Sequence, residues 1–163
     1  MDSDDETVKG VILTARIISG AMIAGVATFG VVVLLLGNVV ASQPSLGGLF
    51  MGILGLIAPA FLVAYVVLRG VMVRAARSQC EQSGGVGMSL EALARAYAPL
   101  VIIRAAMAEG VGLAGLVFLL ITGQKLLWVA PVVAIIILVA ALPSRSRFDS
   151  FVQEVTGTNP YLG

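Results

Sequence analysis

Residues 102–120 read "IIRAAMAEGVGLAGLVFLL", and they repeat, without a gap, residues 17–35, "IISGAMIAGVATFGVVVLL". Ten of the 19 aligned positions are identical, which marks an internal repeat. Apart from Arg104 and Glu109, each copy is apolar or small-residue throughout, at close to the roughly 20 residues that a bilayer-crossing helix needs. A twice-used membrane helix is therefore the unit from which the fold class follows.

The whole chain agrees with this unit. Its 163 residues are 59% hydrophobic and 12% charged, with a mean hydropathy of +1.05. Soluble domains sit near 45–50% apolar and about 25% charged. Four apolar runs reach spanning length, at about 17–37, 47–68, 101–122 and 126–143. The expected fold is an all-α integral membrane protein of one domain. Its four transmembrane helices come from a duplicated helical hairpin, and consecutive helices should be antiparallel neighbours. Ala58-Pro59 and Ala130-Pro131 are all that the second and fourth runs visibly share.

Basic residues predict the orientation. Lys9, Arg16, Arg69, Arg74, Arg77, Arg95, Arg145 and Arg147 fall on one side, and only Lys125 falls in the two short connections. Lys and Arg accumulate in cytoplasmic loops, so both termini and the middle connection are expected in the cytosol, at the inner (plasma) membrane. The acidic start, "MDSDDETVKG", lacks the basic opening of a secretory signal, and the first run reads as an uncleaved anchor. Tyr97, Trp128 and Tyr161 sit near run ends, as aromatic anchors do.

The second and third helices are expected to outrun the membrane as a cytosolic hairpin. "SGGVG" (83–87) would be its turn, Ser89 an N-cap, and Pro99 a kink or boundary. In the tail, Phe148, Phe151, Val152 and Val155 fall on one stripe. Residues 144–155 read as an amphipathic helix, lying on the inner membrane surface or binding a partner.

The repeat separates what the copies share from what they do not. Ala21 and Gly25 match Ala106 and Gly110, Gly30 matches Gly115, and Gly48 and Gly52 offer a similar pair on the second run. Small residues four apart let helix backbones approach in lipid, so these are the expected packing positions. Arg104 replaces Ser19, and Glu109 replaces Ala24. For a span of 101–122, Glu109 lies within about 4 Å of the midplane at 1.5 Å per residue. An ionised acid there costs about 3 kcal/mol on insertion scales, and such acids are functional candidates. Arg104 and Glu109 stand about 140° apart around a helix, which excludes an ideal bridge within one helix. Arg104 either snorkels to headgroups or meets Glu109 of another subunit. Ser19, Thr28 and Tyr65 are the other candidate partners.

One cysteine, Cys80, and no histidine leave zinc, haem and nucleophile–histidine chemistry without their usual residues. No metal or cofactor is expected, and a net charge of +1 gives no reason to expect nucleic acid. The expected partners are the lipid bilayer and another membrane subunit, either a second copy or a complex partner.

The second half of the chain, from "ALARAYAPLVIIRAAMAEG" to "LPSRSRF", resembles a group of small four-span bacterial membrane proteins. They carry an Arg-x-Ala-x-x-Glu-Gly third helix and a Pro-Ser or Pro-Thr end to the fourth. The pattern falls here on Arg104, Ala106, Glu109, Gly110, Pro143 and Ser144, and the group brings no activity with it. Over a shorter stretch, "AEGVGLAGLVFLL" is similar to the ion-carrying helix of rotary ATPase proteolipids, whose glutamate binds a proton or sodium ion. That likeness implies an ion-binding role for Glu109. Three departures set it apart: the glutamate lies on the first helix of its hairpin, the dense glycine ladder is missing, and the arginine-bearing middle extension is foreign.

The functional expectation is a non-enzymatic, self-associating or complex-forming subunit with Glu109 as a buried polar contact. The alternative is a small ion- or proton-translocating protein with Glu109 as the ion-binding carboxylate. A carboxylate–arginine site acting on a lipid is the weakest reading.

Overall fold

The computed structural model describes residues 2–36, 44–82 and 90–157. Ser89, the glycine-rich turn at 83–87 and Tyr161 lie outside the described residues. All described elements are helical. α1 runs Asp2–Leu36, α2 Gly47–Gln82, α3 Leu90–Thr122, α4 Val129–Ala140 and α5 Arg145–Thr156, with short 3-10 turns at Pro44–Leu46 and Lys125–Trp128. Three helices are long and apolar enough to cross a membrane, and up to four if the bent pair Lys125–Ala140 and Arg145–Thr156 counts as one span.

Local chemistry sets the ends. α3 stops at Gly123, whose φ of 66° is open to glycine, and whose N–H donates back to the Leu119 carbonyl at 2.8 Å. The Thr122 hydroxyl donates to the Phe118 carbonyl and accepts from the Gln124 N–H. The chain can then turn into α4 within a few residues. α4 ends because Pro143 lacks an N–H and its ring clashes with a helical turn before it. The chain bends by 75° there, and the Arg16 guanidinium donates to the Pro143 carbonyl at 3.0 Å. Pro99 marks no boundary: α3 passes through it unbroken. A helix tolerates such a proline where its neighbours and its own packing compensate the lost bond.

α3 is the centre of the fold and packs on α1, α2, α4 and α5. α1 and α2 scarcely touch, contrary to the expectation that each short connection joins packed neighbours; α1 pairs chiefly with α3 instead. Two apolar cores result. One joins α1, α3 and α4 through Val26, Val33, Ala105, Leu116, Leu119, Leu127 and Leu138. Here Gly112 and Gly115 let α4 approach α3. A Cβ at Gly115 would lie 2.6 Å from the Ala130 Cβ, and one at Gly112 would lie 2.8 Å from the Ala134 Cβ. Gly30 is also buried, facing Trp128 and Leu116.

The second core lies at the other end of the bundle. Val8 and Ile12 of α1, Val73 and Ala76 of α2, and Leu93, Tyr97 and Leu100 of α3 close around α5. Phe148, Phe151, Val152 and Val155, the stripe expected to face lipid or a partner, are buried in this core. The reason is geometric: α1, α2 and α3 each extend well past the apolar half, and their ends need a fourth helix to cover them. Tyr97, expected as an interfacial anchor, is 8% exposed, with its ring against Phe148 and Phe151. α2 holds the far end of α5: Arg69 pairs with Glu154 at 2.7 Å, and the Arg77 guanidinium donates to the Glu154 carbonyl. Cations at the end of α5 also meet the negative end of its dipole.

By contrast, the most apolar 18-residue stretch of α2 has no buried residue, and Leu56 is 74% exposed. Exposed leucines and valines also run along α1 and α4. An apolar surface of this extent suits acyl chains, not water.

Replacing Gly115 with alanine should force α3 and α4 apart and lower stability by about 1–3 kcal/mol. Gly48→Ala should be neutral, because nothing lies within 4 Å of the added methyl. Thermal melts of both variants in one detergent check this pair.

Candidate functional site

α3 presents Arg104 and Glu109 to different sides, as their angular separation requires. Glu109 points toward α1. Its Oε1 lies 3.3 Å from where a Cβ at Gly25 would sit, so the glycine makes room for the carboxyl. The neighbouring Gly110 lies opposite Phe61 of α2, at 3.8 Å on the same measure. α1 and α2 scarcely touch, which leaves Ala106 and Gly110 exposed on the face of α3 between them. Glu109 is half-buried there. Among the described residues its carboxyl makes no hydrogen bond and no ion pair.

Within the chain, none of Ser19, Thr28 and Tyr65 bonds Glu109. Arg104 lies over the Tyr65 ring, 5.8 Å from its centroid. This is a cation–π contact. Ser19, the counterpart of Arg104 in the repeat, is 2% exposed, and its hydroxyl has no partner among the described residues. Thr28 is exposed on α1.

The expected small-residue packing face is only partly used within the chain. Gly30 and Gly115 are buried. Ala21, Gly25, Ala106 and Gly110 are exposed, and Gly48 and Gly52 have nothing within 4 Å of an added Cβ. The close contact with α4 uses Gly115 together with Gly112, which the repeat hides because its counterpart is Ala27. The available signal was the spacing of Gly112 and Gly115, one turn apart on α3, against the small residues Ala130 and Ala134 of α4.

Arg104 belongs to a second region, on the other side of α3. A cavity of about 250 Å³ lies where α2, α3 and α5 meet. Arg69, Arg104, Arg147, Tyr65, Tyr97 and Glu154 line it. Reading the sequence assigned Arg69 and Arg147 only to the charge bias, because they are distant from Arg104 along the chain. Burial pushes the Tyr97 hydroxyl above its ordinary value, against the opposing pull of Arg147 and Arg104. It therefore remains an O–H donor at neutral pH. Among the described residues, no group of three or more His, Cys, Asp or Glu side chains is placed to hold a metal ion.

No protein-family model, curated protein or solved structure matches this chain. The geometry alone therefore carries the functional reading.

The raised Tyr97 value has a definite sign. A phenol in the unfolded chain ionises near pH 10, whereas Tyr97 in the fold holds its proton to higher pH. Its contribution to stability should be complete below about pH 10 and fall as pH rises toward the folded value. Alkaline titration followed by phenolate absorbance should show a late component from Tyr97 in the folded protein, absent in Tyr97→Phe.

Proposed function

We propose that the chain is a non-enzymatic, four-span protein of the inner (plasma) membrane that acts as an assembling subunit. Its four spans comprise the apolar parts of α1, α2 and α3 and the helix Lys125–Ala140. They descend from a duplicated hairpin, with both termini and the middle connection in the cytosol. The basic bias supports that orientation. The chain has no histidine to form a Ser–His or Cys–His pair, and its sequence shows no nucleotide motif.

The exposed small-residue face between α1 and α2 carries this reading. Ala21, Gly25, Ala106 and Gly110 are exposed on α1 and α3, and Glu109 lies among them with no partner among the described residues. In lipid, helices associate through small residues and interhelical hydrogen bonds. A lone carboxyl facing acyl chains costs about 3 kcal/mol or more. A helix from a second copy, or from another membrane subunit, removes both deficits: it packs on the small residues and supplies a donor to Glu109.

One observation favours a second reading, in which Glu109 binds a proton or cation. The carboxyl is half-buried beside the exposed Gly25 and Gly110, so an ion has a route to it.

Size measurement in lipid nanodiscs is the direct test. Wild type should be dimeric or larger, and Gly25→Leu and Ala106→Leu should shift it toward monomer. A monomeric wild type across the accessible concentration range overturns the assembly reading. Glu109→Gln keeps a hydrogen-bonding group and should assemble normally, whereas Glu109→Leu should weaken association by leaving a polar partner unpaired. In liposomes under a proton or sodium gradient, wild type and Glu109→Gln should behave alike. If wild type dissipates the gradient and an equally folded Glu109→Gln does not, ion handling replaces the structural role.

A further inference from the structure

α2 and α4 also scarcely touch, which leaves a groove of about 380 Å³ on the side of α3 away from Glu109. Its walls are apolar: Ala58, Phe61 and Leu62 from α2, Met107 and Val111 from α3, and Ile137 from α4. Arg104 is the one charged residue lining it, at the end nearest α5. There the groove meets the arginine-lined cavity, and Tyr65 and Arg104 line both. In that cavity Glu154 is engaged by Arg69 at 2.7 Å. Arg104 and Arg147 have no carboxylate within ion-pair distance among the described residues.

Two guanidiniums without a counter-ion therefore lie at the foot of an otherwise uncharged groove. Guanidinium groups match the oxygens of a phosphate geometrically and electrostatically. An apolar groove at spanning depth matches an acyl chain. We infer that this composite site binds an anionic glycerophospholipid, with its phosphate on Arg104 and Arg147 and one acyl chain between α2 and α4. The lipid comes from the leaflet at the α5 end. A free phosphate would meet the arginines but leave the groove unfilled. A zwitterionic lipid would bring a cation into a cavity that already holds three guanidiniums against one carboxylate. The site rests on the same membrane reading as the proposed assembly, and Phe61 borders both, lining this groove and facing Gly110.

Native mass spectrometry of the delipidated full-length protein in mild detergent tests the inference. Phosphatidylglycerol and phosphatidylcholine are titrated separately, and inorganic phosphate and glycerol 3-phosphate serve as competitors. Phosphatidylglycerol should bind about tenfold tighter than phosphatidylcholine, and Arg104→Gln or Arg147→Gln should each remove most of that preference. Arg95→Gln, whose residue pairs with Glu91 away from the site, should leave it unchanged. Ala58→Trp, which fills the groove without altering charge, should weaken both lipids. Arg147 is exposed, so its variant tests the headgroup contact even if Arg104→Gln misfolds. Equal binding of the two lipids by wild type, or a preference that survives Arg147→Gln, overturns the inference. Displacement by inorganic phosphate together with a harmless Ala58→Trp also overturns it, in favour of a soluble phosphate site. Oligomer size in nanodiscs is a separate readout, so either proposal can fail without the other.

Discussion

A helix of 35 residues is about 52 Å long at 1.5 Å per residue, while bilayer hydrocarbon is about 30 Å thick. α1, with 35 residues, α2, with 36, and α3, with 33, all face this mismatch. Each must present one surface to acyl chains along part of its length and another to water along the rest. In the lipid part, burying leucine gains little, and contacts depend on close backbone approach. In the watery part, the same helices must bury their apolar faces as any soluble bundle does. The two cores follow from this division. One is closed by glycines at the α3–α4 contact, and the other by the aromatic and aliphatic face of α5.

α5 links the two levels. Pro143 frees it from α4, Arg16 holds the bend, and Arg69 and Arg77 clamp its far end. Covering the ends of three long helices is a different task from lying on a membrane, although both call for one apolar stripe. The same stripe of phenylalanines and valines satisfies either role, and the overhanging ends of α1, α2 and α3 decide between them.

Because α3 is central, Arg104 and Glu109 serve opposite sides of the molecule. Glu109 lies toward α1, beside the exposed face of α3 between α1 and α2. Arg104, about 140° around the same helix, turns to Tyr65 and the cavity beneath α2 and α5. Peripheral α2 makes both openings, since it leans on α3 and α5 while scarcely touching α1 or α4. The repeat does not impose this asymmetry. Gly30 and Gly115 occupy the same repeat position, yet one faces Trp128 and the other Ala130 and Pro131.

Helix class, spanning length and the inability of Arg104 to bridge Glu109 along its own helix were legible in the sequence, because each depends on composition or on helical period. Which helices meet was not. Periodicity tells how wide an apolar face is, but in a chain that is apolar nearly all round it does not single out the face that finds a protein neighbour. Thus Ala21 and Ala106 looked like packing residues and are exposed, while Gly112 looked incidental and carries the closest approach to Ala134. The gathering of Arg69, Arg104 and Arg147 around one cavity likewise depends on three elements converging from distant parts of the chain. Only tertiary structure decides that, because local chemistry places a charge on a helix but not beside another helix's charge.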